Sequence, residues 1–218
     1  MQRVGSGESL IDPPRVLPRG RHRIEREVVL ASQRGRLIDA IAAAVAEKGY
    51  ARAAVADVIE RAGVSRKTFY EHFEDKLDCF LAAYDTGVEV LLARLQAAWE
   101  RPGAFSERLQ YAVEAYLGTL ADAPDFACTF IIEALAAGPR ALERRAAVHG
   151  RFAAQIEAAH AETGLRELPH ETFAAAVGAV NELVAERVRQ GRIESLPELA
   201  GTVRAIQVRL LAGPDGCG

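Results

Sequence analysis

The stretch Val64 to Lys76, VSRKTFYEHFEDK, gathers hydrogen-bond donors at a spacing suited to a polyanionic groove. Phe69 and Phe73 lie one helical turn apart and point to a small core. That leaves Arg66, Lys67, Thr68, Tyr70 and Glu71 on the outer side of the same helix. Arg66 and Lys67 can each donate to guanine O6 and N7 in a major groove, so they are the candidates for base contacts. Other chemistry has little to stand on. The five histidines form no HExxH, and neither GxSxG nor a phosphate-binding loop is present. Cys79, Cys128 and Cys217 are widely spaced, with no CxxC and no Cys/His cluster. No catalytic residue, metal site or cofactor is expected, and Cys79 and Cys128 are expected in the core.

The elements that must position this helix follow from periodicity and punctuation. Ser65 is a suitable N-cap, and Val64 with Phe69 forms a hydrophobic staple across the first turn. Before it, apolar residues with helical spacing predict a short helix near 54–62, with Gly63 supplying the turn, and a longer helix near 27–48. Short helix, glycine turn and short helix with a basic outer face make a helix-turn-helix pattern. Asp75 caps a long helix reaching about residue 100, with an apolar stripe from Leu77 to Trp99. Further amphipathic helices are predicted near 105–121, 125–137, 140–163, 170–190 and 197–211, and no strand alternation is convincing. The fold class is all-α: a three-helix DNA-binding domain followed by a larger helical domain.

At 218 residues, 50% apolar and 26% charged, the chain has the composition of a soluble globular protein. No apolar run approaches a membrane span, and the N-terminus lacks a secretory h-region, so a cytoplasmic protein with no membrane partner is expected. The net charge of −3 is unevenly spread: residues 1–75 carry 13 Lys/Arg against 11 Asp/Glu, and residues 76–218 carry 14 against 19. A basic reading part on an acidic body fits that asymmetry. Residues 1–26 contain Pro13, Pro14 and Pro18 with Arg15, Arg19, Arg21, Arg23 and Arg26. This arginine-rich arm reads equally as a solvated leader and as an arm that tracks phosphates or a minor groove. The expected organisation is therefore an arm at 1–26, a DNA-binding domain at 27–75, a helical body at 76–212 and a tail at 213–218.

The segment Lys48 to Asp85, with its AGVS turn, TFYEHF helix and a lysine three residues beyond, resembles the DNA-binding domain of the tetracycline-repressor (TetR) family. The resemblance implies that the third helix enters the major groove of double-stranded DNA, with Ser65, Arg66, Lys67, Thr68, Tyr70, His72 and Lys76 facing it. Tyr70 and His72 match the family's Tyr-x-His pair, which meets phosphates, and Lys76 matches a lysine with the same task. It also implies a homodimer on a palindromic operator, joined through helices near 170–190 and 197–211. Phe173, Val177, Val180, Val184 and Val188 make a suitable stripe on one, and Leu199, Val203, Ile206 and Leu210 on the other. Packing within one chain accounts for those stripes equally well. The family often has Thr or Ser where Ala53 and Ala54 stand, so that cap and phosphate contact are missing, and Arg52 or the arm would have to contribute instead.

A transcriptional regulator, a repressor released by a small ligand of unknown class, is the function these features imply. Tyr84, Trp99, Tyr111, Tyr116, Phe126, Phe130 and Phe152 are candidates for an apolar ligand cavity, with Glu133 or His149 to orient the ligand. The alternative is a helical ligand carrier or interaction module without sequence-specific DNA binding.

Overall fold

Helix α1, Arg26–Lys48, buries Leu37, Ile38, Ile41, Ala44 and Val45 along one side, the 3.6-residue spacing that the sequence carries. The computed structural model describes residues 26–211, so the proposed arm up to residue 25, the tail at 213–218 and Cys217 lie outside the described residues. Helices α2 (Val55–Ala62) and α3 (Arg66–His72) complete the N-terminal unit. The turn between them depends on Gly63, whose φ of 61° lies in the left-handed region that glycine tolerates best. Gly63 N–H donates to Glu60 O and Val64 N–H to Ile59 O, closing the carbonyl end of α2.

Side chains of α1 and its neighbours brace this unit. The Arg36 guanidinium donates to Ala62 O at 2.7 Å, Lys48 pairs with Asp57 at 2.7 Å, and Arg61 pairs with Glu47. Asp57 also accepts from Ala54 N at 2.9 Å. Although Ala54 offers no capping oxygen of its own, its amide is thus satisfied by the carboxylate reaching back from the third helical position. Its hydrogen bond to Lys48 holds that carboxyl below its ordinary pKa.

Helix α4, Lys76–Trp99, runs from this unit into the C-terminal body. Asp75 caps it by accepting from Asp78 N at 2.8 Å, while Asp78 accepts from Glu74 N at 3.0 Å. The body contains α5 (Phe105–Asp122), α6 (Pro124–Ile131), α7 (Pro139–Ala161), α8 (His170–Arg189) and α9 (Ala200–Leu211). On its surface Arg144–Asp85 and Arg151–Glu89 tie α7 to α4. Every element among the described residues is helical.

Two predicted helices are shorter than periodicity suggests. The helix expected at 125–137 ends at Ile131, followed by a 3₁₀ turn at Glu133–Leu135 and by Gly138 at φ 97°. The helix expected at 197–211 begins only at Ala200, because Pro197 sits within a 3₁₀ segment, Ile193–Leu199. Proline offers no N–H to an α-helical ladder, whereas the tighter turn tolerates it here. Cys79 is buried and Cys128 half-buried, and burial pushes both thiols above their ordinary pKa. No described helix is long and apolar enough to cross a membrane.

Candidate nucleic-acid interface and ligand cavity

Ser65 opens α3 with its hydroxyl accepting from Thr68 N at 3.0 Å, and the two hydroxyl oxygens lie 2.9 Å apart. Phe69 and Phe73 are buried with ring centroids 5.9 Å apart, which fixes the helix's rotation. Arg66, Lys67 and Tyr70 are consequently turned outward and exposed. The Arg66 guanidinium lies over the Tyr70 ring at 5.7 Å. Lys67 is 86% exposed and, among the described residues, pairs with Glu71 at 3.8 Å. An exposed pair of that kind contributes about 0–1 kcal/mol, so it yields readily to a phosphate or a base.

The other candidates already hold partners within the chain. His72 is half-buried, with Nε2 3.4 Å from Gln33 Oε1. Burial first, then the neighbouring charge of Arg34, lowers its pKa, so near neutral pH the imidazole is uncharged. The Lys76 ammonium donates to Tyr50 O at 2.7 Å and Ala53 O at 2.9 Å, and sits 4.1 Å from the Tyr50 ring centroid. Arg52 is exposed beside them, its Nε donating to Lys48 O. A lysine has three donor hydrogens, so Lys76 keeps one for another acceptor.

The ligand candidates divide in the same way. A cavity in the body lies between α4, α5, α7, α8 and α9, and Trp99, Tyr116, His149 and Phe152 line it. Tyr84, Phe126 and Phe130 do not line it. They form a ring stack at its edge, Tyr84 on Phe130 at 5.2 Å and Phe126 on Phe130 at 5.3 Å, and Phe130 reaches the Phe152 wall ring at 6.3 Å. Tyr111 lies on the outside under Arg101, at 3.7 Å. Glu133 is away from the cavity, where its carboxylate accepts from Tyr50 N at 2.7 Å. That bond joins the body to the N-terminal unit across 83 positions of chain. No pattern in the sequence signals it.

Sequence reasoning also missed the polar members of the cavity: Gln155, Asn181 and Gln207. The available signal was a carboxamide on a buried helix face. Asn181 follows Val180 and precedes Val184 on α8, and all three are buried. His149 is held uncharged in this wall, its pKa pushed down to about 4 by burial first and by Arg145 second.

A three-helix unit with an exposed basic helix, joined by one long helix to a cavity-bearing body, defines a helix-turn-helix regulator of transcription. A family model described as bacterial regulatory proteins, tetR family, matches residues 37–83. An uncharacterised HTH-type transcriptional regulator of Mycobacterium bovis is 33% identical over 143 residues, covering 63% of this chain and 71% of that one. This chain belongs to the TetR family of transcriptional regulators, and it is a regulatory protein, not an enzyme. The HTH-type transcriptional activator FasR of Mycolicibacterium smegmatis is 31% identical over 99 residues, a match spanning 45% of each chain. The fold matches the fatty acid degradation regulator FadR of Bacillus halodurans with a TM-score of 0.75 at 20% identity, over 84% of this chain and 96% of that one. It also matches FadR of Bacillus subtilis in complex with stearoyl-CoA, with a TM-score of 0.72 at 17% identity, over 84% and 98%.

Proposed function

We propose that this chain is a dimeric repressor that leaves a palindromic operator when a small ligand enters the cavity of its body. The observation that carries this is the course of α4. Its first residue, Lys76, clamps the DNA-reading unit, and its last turns, at Leu95 and Trp99, form a wall of the cavity. Anything that spreads that wall therefore acts on the reading head directly. Residues 27–75 serve as the head and 76–212 as the body. The free space in the cavity is only about 60 Å³. Ligand sites run from about 300 Å³ upward, so binding must move the walls apart several-fold. A ligand shifts the conformational balance only by binding the two states unequally, and a cavity that is narrow in one state and spread in the other supplies that difference.

Within the head, Arg66 and Lys67 read base edges, while Tyr70 and the remaining Lys76 hydrogen meet phosphates. Ser65 and Thr68 order the first turn of the helix, and His72 positions it through Gln33. The dimer forms through α8 and α9, and of the stripes expected from sequence only Leu210 and the half-buried Ile206 are left to it. Phe173, Val177, Val180, Val184 and Val188 are buried within one chain, as are Leu199 and Val203. The surface left to a partner is the outward side, where Ala174, Ala175 and Gly178 of α8 and Gly201, Ala205 and Leu210 of α9 are exposed.

Selection of bound sequences from random duplexes, followed by affinity measurements across salt, tests this. A palindromic motif with a steep salt slope is the expected result. Arg66→Ala and Lys67→Ala should each relax preference at particular base pairs, by about 1–3 kcal/mol for a bidentate contact. If neither changes the selected motif, those side chains do not read bases. No selected motif from a folded dimer would overturn the regulator.

A further inference from the structure

The cavity has apolar walls and an unusual polar complement. Besides the ring donors of Trp99 and Tyr116, an imidazole and three carboxamides line it: His149 and Gln155 from α7, Asn181 from α8 and Gln207 from α9. No Lys, Arg, Asp or Glu is among its described lining residues. Asn181 and Gln207 are only 9% and 4% exposed. Neither side chain bonds to another described residue, and Gln207 Oε1 and Gln155 Oε1 are buried with no partner. A buried amide oxygen without a partner carries its desolvation penalty in full. Two of them facing one cavity, on Gln207 and Gln155, with the unbonded Asn181 in the same lining, mark a place where a polar group belongs.

We propose that the cavity receives an uncharged ligand, an apolar body carrying at least one hydroxyl or amide N–H group, which Asn181 and Gln207 hold. The proposal rests on the reading of the body as a ligand-responsive domain, and it names the ligand's chemical class. A plain alkyl chain would fill the walls made by Trp99 and Phe152 but leave the Gln207 oxygen without a partner and cover the Asn181 carboxamide. A carboxylate would bring a charge among side chains that provide no cation. Arg145 stands one turn from His149 on α7, but it is not part of the lining, and His149 is neutral. A hydroxyl or amide satisfies an orphaned oxygen at once and brings no charge. A site built around such a bond rejects analogues that lack it far more strongly than it rejects a change of one methylene.

Calorimetric titration of the full chain with matched compounds tests this. One series is β-naphthol, its methyl ether and β-naphthoate. The other is octanol, octanamide and octanoate. In at least one series the neutral donor should bind about tenfold or more tightly than the carboxylate, and naphthol more tightly than its ether. In Gln207→Leu and Asn181→Leu that preference should shrink to about threefold or less. Removal of a stranded amide should leave the melting temperature of the ligand-free variants at or above that of the original, which separates loss of a contact from loss of fold. Tighter binding of the carboxylate or ether overturns the inference, as does failure of every neutral donor to bind at its solubility limit. Operator selection on the same preparations separates the two ideas. A chain that prefers naphthol but selects no operator overturns the regulator alone. A chain that holds an operator but prefers naphthoate overturns this inference alone.

Discussion

Lys76→Met removes an ammonium and keeps most of the stem, so it isolates what that charge holds. The ammonium donates to two part-buried backbone carbonyls, Tyr50 O at 2.7 Å and Ala53 O at 2.9 Å, and lies 4.1 Å from the Tyr50 ring centroid. A hydrogen bond from a charged donor contributes about 1.5–3 kcal/mol, and the low end applies because the site is partly solvated. The ring contact adds about 0.5–1 kcal/mol. Water reaching the freed carbonyls offsets part of the sum, leaving an expected loss of about 2–3 kcal/mol. In a chain of this size that corresponds to a melting temperature about 5–10 °C lower. Urea unfolding and thermal melts measure the loss, and titration of an operator duplex across salt measures the third hydrogen separately. A phosphate contact by that hydrogen would also reduce the salt slope by about one. Unfolding within about 0.5 kcal/mol of the original, with a reduced slope, would refute the clamp and make Lys76 a phosphate ligand only.

Other outcomes follow from the same contacts. Glu133→Ala leaves the Tyr50 amide without its acceptor, at a cost of about 1–3 kcal/mol; hydrogen exchange at Tyr50 should quicken, and operator affinity should respond less to ligand. Exchange unchanged at Tyr50 would show that the carboxylate does not couple the two units. Gly87→Ala would put a methyl 1.8 Å from the Phe126 ring, so α4 and α6 must part, with a loss of about 1–3 kcal/mol by thermal melt. Gly118, where an added methyl meets nothing within 4 Å, is the control: Gly118→Ala should gain about 0.5–1 kcal/mol. His149 has an ordinary pKa of 6.5 and a folded value of about 4. Between those values the unfolded chain binds a proton that the folded chain refuses, so stability falls as pH drops from 6.5 toward 4 and is unaffected above. The full difference is worth about 3 kcal/mol, and partial exposure reduces it to about 1–2. His149→Gln should flatten that part of the stability–pH curve measured by urea unfolding.

The sequence by itself determined the helix class, the reading head and most element boundaries, because these depend on neighbours within a turn or two. Phe69 and Phe73 one turn apart, Ser65 and Asp75 as caps, and Gly63 at a left-handed turn are local signals, and each acts within the helix that displays it. Only the tertiary structure decided what lies opposite each face. Apolar periodicity shows that a stripe is buried but not against what: of the stripes on α8 and α9 that suited either a partner subunit or the chain's own core, all of the α8 stripe and Leu199 and Val203 of α9 are covered within one chain, while Leu210 is exposed. A donor's spacing likewise does not reveal whether it is already engaged: Lys76 is held by carbonyls 26 and 23 positions earlier, and Glu133 by an amide 83 positions earlier. The cavity is the extreme case. Its lining comes from five helices, and the side chains that define its chemistry, Asn181 and Gln207, stand on otherwise apolar faces where sequence gives no reason to bring them together. Local backbone propensity is written in consecutive residues. The partner of a side chain is set by how helices cross, and that depends on the packing of the whole core.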